Sequence, residues 1–257
     1  MRRQLADLGF RLLSDPAPGL TGDTVARGMR FAIKQSNEAP HRDECAFCPG
    51  LRFRLNRLEN LPGATGVLWG DGDFFVVPDL APLDEGHLLI VTVDHNLAMG
   101  ACSEDVLTRL GTNLDRVSAL FRSVYDREAL FFEHGPASSG EAGACIDHAH
   151  MHCLPATASV VGTLRDEGLT VGPASLAGLK AQHIAGDSYL FVQEAGNPMC
   201  SLVRNTSNQL MRRLYSSALG KSTWRWQDMY MQPDSRQRFL ETFNRLLHAV
   251  DQTLAAS

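Results

Sequence analysis

No run of 18 apolar residues occurs anywhere in this 257-residue chain, which excludes a membrane-spanning helix. The first ten residues, Met1-Arg2-Arg3-Gln4-Leu5-Ala6-Asp7-Leu8-Gly9-Phe10, lack the continuous apolar stretch of a signal peptide, so the cytoplasm is the expected compartment. Basic blocks are also missing. Nothing longer than pairs such as Arg2-Arg3 and Arg212-Arg213 is present, and the formal net charge is −5, so the chain has no electrostatic footprint for non-specific nucleic-acid binding. An anionic ligand would need local charge compensation. Six cysteines (45, 48, 102, 145, 153 and 200) are too few for a disulfide scaffold of this length and read as thiols or metal ligands. There is no internal repeat and no low-complexity segment.

With 44% hydrophobic residues, the chain can bury a full core. Residues 1–37 read as a helical appendage in two pieces, broken at Asp15-Pro16-Ala17-Pro18-Gly19. The β-branched runs Phe74–Val77 and Leu88–Val93 flank the turn-rich Pro78-Asp79-Leu80-Ala81-Pro82 and read as an antiparallel pair. Ser103 is placed to cap a helix whose apolar stripe runs Val106, Leu107, Leu110, Leu114, Val117, Leu120, Phe121 and Val124, and which should cover one sheet face. A strand at Leu130–Glu133 and a Gly/Ser-rich loop, Gly135–Gly143, follow. Beyond Pro155 the pattern weakens until a strand at Tyr189–Val192 and helices at about 207–219 and 233–254. The fold class is α+β, divided into an appendage (1–40), a core (41–160) and an α-rich C-terminal extension (161–257) that should pack on the core as one folded unit.

Residues 148–153 read His-Ala-His-Met-His-Cys. On a strand, alternation would put His148, His150 and His152 on one face, each roughly 6.5 Å from the next. Such a row suits nucleophilic attack, proton delivery or metal ligation, because imidazole titrates near neutrality. A surface histidine cluster is the bland alternative. The second constellation is Cys45-Ala46-Phe47-Cys48. Its spacing occurs in thioredoxin-like redox pairs, but the βαβ context of that motif is missing, and a pair of buried thiols remains open. A zinc half-site fits better, with His95 and His148 as the two further ligands if those strand ends adjoin.

His148-Ala149-His150-Met151-His152-Cys153-Leu154 resembles the His-φ-His-φ-His-φ-φ signature of the histidine-triad (HIT) nucleotide-binding family, and Pro78–Val91 followed by His95 resembles that family's first block. The likeness covers about residues 45–155. It implies a HIT-like antiparallel sheet of about five strands under a long helix. It also implies roles: His150 is the nucleophile that attacks an α-phosphorus, His152 and His87 contact phosphate oxygens and the leaving group, and Asp79 takes the ribose hydroxyls. Zinc-containing members hold a structural Zn²⁺ with residues matching Cys45, Cys48, His95 and His148, which would anchor the catalytic strand without touching substrate.

The chain departs from the family pattern at two places. The segment before the triad is Gly143-Ala144-Cys145-Ile146-Asp147, so contacts to the leaving group must differ, with Cys145 standing in the nucleotide-binding stretch. The phosphate-binding Asn-x-Gly is Glu133-His134-Gly135; a carboxylate there is awkward, which turns Glu133 elsewhere and gives the contact to His134. In the extension, Arg212 could lend a positive charge to the phosphates but reads better as a solvated helix arginine, and Trp224, Trp226 and Tyr230 read as a packing anchor in preference to a base-stacking platform. The resemblance implies a hydrolase of dinucleoside polyphosphates, nucleoside phosphoramidates or similar nucleotide conjugates. Nucleotidyl transfer is the lesser alternative, since His152 stands where the family's transferases place glutamine. A nucleotide-binding or adaptor protein without turnover is the other. The expected partner is a nucleotide, with no nucleic acid and no membrane, and a homodimer is the default assembly.

Overall fold

The computed structural model describes residues 45–48, 66–144, 146–204, 206–230 and 232–255. The N-terminal helices expected over 1–37 lie outside these residues. In chain order the elements are β1 (Trp69–Gly70), β2 (Phe74–Pro78), β3 (Leu88–Thr92), a 3₁₀ turn (Met99–Ala101), α1 (Glu104–Tyr125), β4 (Ala129–Gly135), β5 (His150–Pro155) and α2 (Val161–Asp166). They continue as β6 (Gly172–Pro173), α3 (Leu176–Ala185), β7 (Tyr189–Glu194), β8 (Asn197–Leu202), α4 (Leu210–Ala218), α5 (Trp226–Met229) and α6 (Pro233–Ala255).

All the strands join one antiparallel sheet in the order β1-β2-β3-β5-β4-β7-β8-β6. The sheet has eight strands, where the sequence reading expects about five. The extra ones come largely from the C-terminal segment: β7 pairs along β4 from Leu130↔Glu194 to Gly135↔Tyr189, and β8 and β6 follow outward. Periodicity hides β6 because it is two residues long. It hides β8, which reads Asn-Pro-Met-Cys-Ser-Leu, because its burial is mostly partial and shows no apolar alternation.

Strands β2 and β3 are apolar on both sides, and helices cover one face of the sheet and part of the other. One face carries Phe74, Val76, Leu88, Ile90, Met151, Cys153 and Phe131, packed against Leu107, Leu110, Leu114, Val117 and Phe121 of α1 and against Phe239, Phe243 and Leu246 of α6. The expected α1 stripe is the buried one. Its Ser103 cap accepts from the Val106 N–H at 3.3 Å, Glu104 and Asp105 favour the positive N-terminal end, and Asp126 in the left-handed region closes the helix on the Arg122 carbonyl. On the other face Leu130, Phe132, Leu154, Leu190 and Val192 lie under α2, α4 and α5. Phe75, Val77, Leu89 and Val91 of that same face lie beyond the reach of those helices, beside Phe47. His150 and His152 stand on this face too, paired in register with Val91 and Leu89.

The turn from Pro78 to His87 positions the site. Asp79 accepts from the Ala81 N–H at 2.8 Å, an Asx-type turn, and Gly86 sits at φ +83 with space only for hydrogen: a Cβ there would lie 2.5 Å from Cγ of Pro155. Thr242 of α6 accepts from the Gly86 N–H at 2.8 Å, which ties the last helix to this turn.

Candidate active site and metal centre

The histidine row is shorter than the sequence pattern suggests. Strand β5 begins at His150, and His148 lies in the turn before it, its N–H bonded to the Ile146 carbonyl. The two roles therefore separate at Ala149, with His150 and His152 in the cleft and His148 turned toward the cysteines.

Hydrogen bonds fix the tautomer of each ring. His150 Nδ1 donates to its neighbour's backbone, the His148 carbonyl at 2.7 Å, so its free electron pair is on Nε2. His87, fully buried, accepts the Leu83 N–H on Nδ1 at 3.1 Å; its Nε2–H then donates to His152 Nδ1 at 2.9 Å, and His152 keeps its own proton on Nε2. Phe132 stacks on His152 at 4.6 Å between centroids and holds the ring flat, and the His150 ring meets His152 edge-on at 5.0 Å. Burial lowers the basicity of all these imidazoles, taking His87 to about 3, so they stay neutral at physiological pH.

Beside them lies Asp79. Its Oδ2 accepts from the Arg212 guanidinium at 2.7 Å and stands 3.5 Å from His87 Nε2. Burial pushes this carboxyl up, but Arg212, His87 and the Ala81 N–H outweigh it and hold the group ionised. Arg212 is 2% exposed, which corrects its reading as a solvated residue. It also donates to the Ala81 carbonyl at 2.6 Å and the Trp224 carbonyl at 2.9 Å. The outward residue is its neighbour Arg213, which pairs with Glu167.

His134 stands on the cleft face of β4, one step past the Phe132↔His152 pair, and its Nε2 accepts the Met211 N–H at 3.3 Å, which ties β4 to α4. Glu133, one residue earlier, faces the α1 side. There it accepts from the Met99 N–H at 2.7 Å and the Tyr189 hydroxyl at 2.9 Å, so the structure does not bring it to the triad. Cys145 lies outside the described residues.

Burial pushes the Glu133 carboxyl up to about 7, against hydrogen bonds that lower it. The folded-state value lies above the ordinary one of 4.5. The associated stability is therefore full below that value and is lost as pH rises through about 7. Over this window the wild type should lose roughly 3 kcal/mol relative to Glu133→Gln. Denaturant unfolding of both proteins at pH 5 and pH 8 reads the difference; a gap that stays constant with pH would contradict it.

Cys45, Cys48, His95 and His148 converge with all their ligand atoms within 4.8 Å of one another. Sγ to Nδ1 distances are 3.4 Å for Cys45 to His148, 3.4 Å for Cys48 to His95 and 3.7 Å for Cys48 to His148. A tetrahedral zinc with ordinary bond lengths separates a sulfur from a nitrogen by about 3.6 Å. His148 Nε2–H donates to the Thr92 carbonyl at 2.8 Å, which turns the bare Nδ1 toward the thiols, the outer-sphere bond that metal-bound histidines use. The Cys48 hydrogen bond, opposed by burial and aided by His148, holds the Cys45 thiol far below its usual range, in the form that binds metal. Asp79, His87 and His152 also cluster, but their geometry is a proton-sharing chain: the ring nitrogens are 2.9 Å apart, and the carboxylate already serves Arg212.

A cleft opens over His150 and His152, with about 860 Å³ of atom-free space counting its mouth. Its walls include Asp79, Phe75 and Val77 from the sheet side, Ala46 and Phe47 from the cysteine knuckle, and Trp226 and Tyr230 from the C-terminal segment. Phe47 touches the His150 ring at 5.1 Å between centroids, so the knuckle borders the cleft as well as holding the strand. Sequence reasoning passes over Phe47 as a cleft residue, and favours other roles for Arg212, Trp226 and Tyr230, all of which line the cleft. The burial of Arg212 has no local signal, since its partner is 133 residues away.

A neutral histidine with a free Nε2 at the start of a strand, a second histidine held two residues on, and a third fed in from a Gly-His turn define a HIT-like protein. The chain belongs to the family described as "Protein similar to CwfJ C-terminal", which matches residues 34–165, just over half of its length. No curated protein matches it. Similar solved structures include a Hit-like protein involved in cell-cycle regulation from Bartonella henselae, 14% identical, covering 57% of this chain and 98% of that one with a TM-score of 0.35. A hypothetical histidine triad nucleotide-binding protein from Sulfolobus tokodaii is 12% identical, with 78% and 94% covered and a TM-score of 0.38. Yeast Ap4A phosphorylase Apa2 in complex with AMP is 18% identical, with 56% and 60% covered and a TM-score of 0.36. Among the described residues no helix is long and apolar enough to cross a membrane.

Proposed function

We propose that the protein hydrolyses nucleotide conjugates of the dinucleoside polyphosphate or nucleoside phosphoramidate type at the α-phosphate, through a nucleotidyl-histidine on His150. The observation that carries this reading is the bond from His150 Nδ1 to the His148 carbonyl, which leaves Nε2 as a neutral nucleophile at the cleft. A bond forms from Nε2 to the α-phosphorus as the bond to the leaving group breaks. Water then adds to phosphorus, releases the nucleoside monophosphate and restores the imidazole. His152 Nε2–H donates where negative charge develops, and His87 fixes that tautomer from behind. The five described cysteines form no disulfide, which suits a cytoplasmic enzyme. Incubation of the purified protein with a panel of such conjugates should release nucleoside monophosphate; a full panel left intact overturns the reading.

In this reading Cys45, Cys48, His95 and His148 hold a structural Zn²⁺, whose contribution is to lock the knuckle to the start of β5. Elemental analysis should find about one zinc per chain. Cys48→Ser should lower Tm and, because Ala46 and Phe47 line the cleft, raise KM as well. A metal-free protein with full stability as isolated contradicts the assignment.

Residues 41–160 and 161–257 are also inferred to fold as one unit, supported by the pairing of β7 along β4. Limited proteolysis should give no stable fragment ending near residue 160 that still binds nucleotide.

A further inference from the structure

The segment 224–230 sends two aromatic side chains, Trp226 and Tyr230, to the wall of the cleft, and it lies beyond the residues that match the family. Side chains from α4 and the turn before it hold its backbone. Gln209, 3% exposed, accepts the Trp226 N–H on Oε1 at 2.8 Å and donates from Nε2 to the Gln227 side chain at 2.9 Å. Arg212 donates from Nε to the Trp224 carbonyl at 2.9 Å and reaches the Met229 sulfur at 3.8 Å, while its Nη1 binds Asp79. The two rings are thus carried on a backbone fixed to the same arginine that serves the turn after β2.

Trp226 differs from a core anchor. Trp69, a core residue at 4% exposed, donates its indole N–H to Asn113 at 3.0 Å. The indole N–H of Trp226 is enclosed with no acceptor among the described residues, although buried indoles usually find one. Trp226 as a whole is only half-buried, and its ring meets Tyr230 edge to face, with centroids 6.2 Å apart and planes 67° apart. Two rings at that angle form a corner. A planar ring laid against one of them meets the edge of the other, and both arrangements are ones that aromatic groups favour. Phe75, Val77 and Leu80 add apolar surface to the same cleft.

We propose that Trp226 and Tyr230 determine specificity by stacking a planar aromatic ring of the bound conjugate. This rests on the nucleotide reading above. The ring is the nucleobase or an aromatic leaving group, which offer the same flat, polarisable face. Stacking a base on an aromatic side chain is worth about tenfold or more in affinity and tolerates any base, because each has such a face.

Two comparisons on the full-length, metal-loaded protein separate the sources. Calorimetry with AMP and with ribose 5-phosphate removes the base. Values of kcat/KM for the adenosine phosphoramidates of phenethylamine and of butylamine remove the ring of the leaving group. The wild type should favour the ring by about tenfold or more in at least one comparison, and Trp226→Leu or Tyr230→Leu should bring that ratio to within about threefold of unity. Trp226→Phe, which keeps a flat face, should retain most of the ratio. Ratios near unity in the wild type overturn the inference without recourse to any variant. Ratios that survive in leucine variants shown by circular dichroism to be folded also overturn it. So does an equal loss in Trp226→Phe and Trp226→Leu, which would mean that the indole only holds the segment in place. Binding without ring preference leaves the nucleotide reading standing, whereas no binding of AMP and no turnover of either phosphoramidate defeats both.

Discussion

His150→Ala is expected to lower kcat/KM by about four orders of magnitude or more while nucleotide binding stays measurable, because the substitution deletes a whole chemical step and leaves the cleft walls in place. A packing effect could not reach that size: His150 is only partly buried, and losing its ring contact with Phe47 should cost little stability. Near-normal turnover in this variant, with a substrate the wild type cleaves, contradicts covalent catalysis. His152→Gln should fall differently. Glutamine can still place an N–H in the cleft but cannot reproduce the His87 to His152 bond with its fixed tautomer, so hydrolysis of the adduct should slow more than its formation.

The largest expected effect on stability is at Arg212. Arg212→Met leaves the Asp79 carboxylate and the Ala81 carbonyl buried without their donor, and breaking a buried pair from one side costs about 3–5 kcal/mol. Removing the charge as well, in Asp79→Asn with Arg212→Met, should recover a large part of that loss, since the cost is mainly that of an unpaired buried charge. Chemical denaturation of the two single variants and the double variant gives the coupling energy. Additive losses, with no recovery, would mean that Arg212 acts through packing alone.

Much of the site is legible in the sequence because its residues are close together along the chain or carry a short spacing. The alternation at 148–152, the Cys-x-x-Cys pair, and the turn residues between Asp79 and His87 are local patterns, and the structure brings them together along β3 and β5, the cysteines at the Thr92 end and the turn at the Leu88 end. The α1 stripe is equally local. What periodicity cannot supply is which distant element neutralises a buried charge. Arg212 looks like Arg213 in sequence, yet one is buried against Asp79 and the other lies on the surface against Glu167. The row at 148–152 misleads in a similar way, since period-two alternation does not say where the strand begins, and His148 leaves it for the cysteines. Of the C-terminal strands β7 is legible, whereas β6 is missed because it is two residues long and β8 because its residues carry little apolar alternation, although it forms a hairpin with β7.

The central claim, that His150 carries a covalent nucleotide, is tested most directly by mixing the protein with a nucleoside phosphoramidate, quenching within the first turnover under neutral or alkaline conditions, and sequencing the peptides by mass spectrometry. The account predicts one nucleotidyl group on the peptide containing His150, located on that residue, absent from His150→Ala and lost on mild acid treatment. Turnover with no adduct at any time in the first cycle, or an adduct on a different residue, would contradict it.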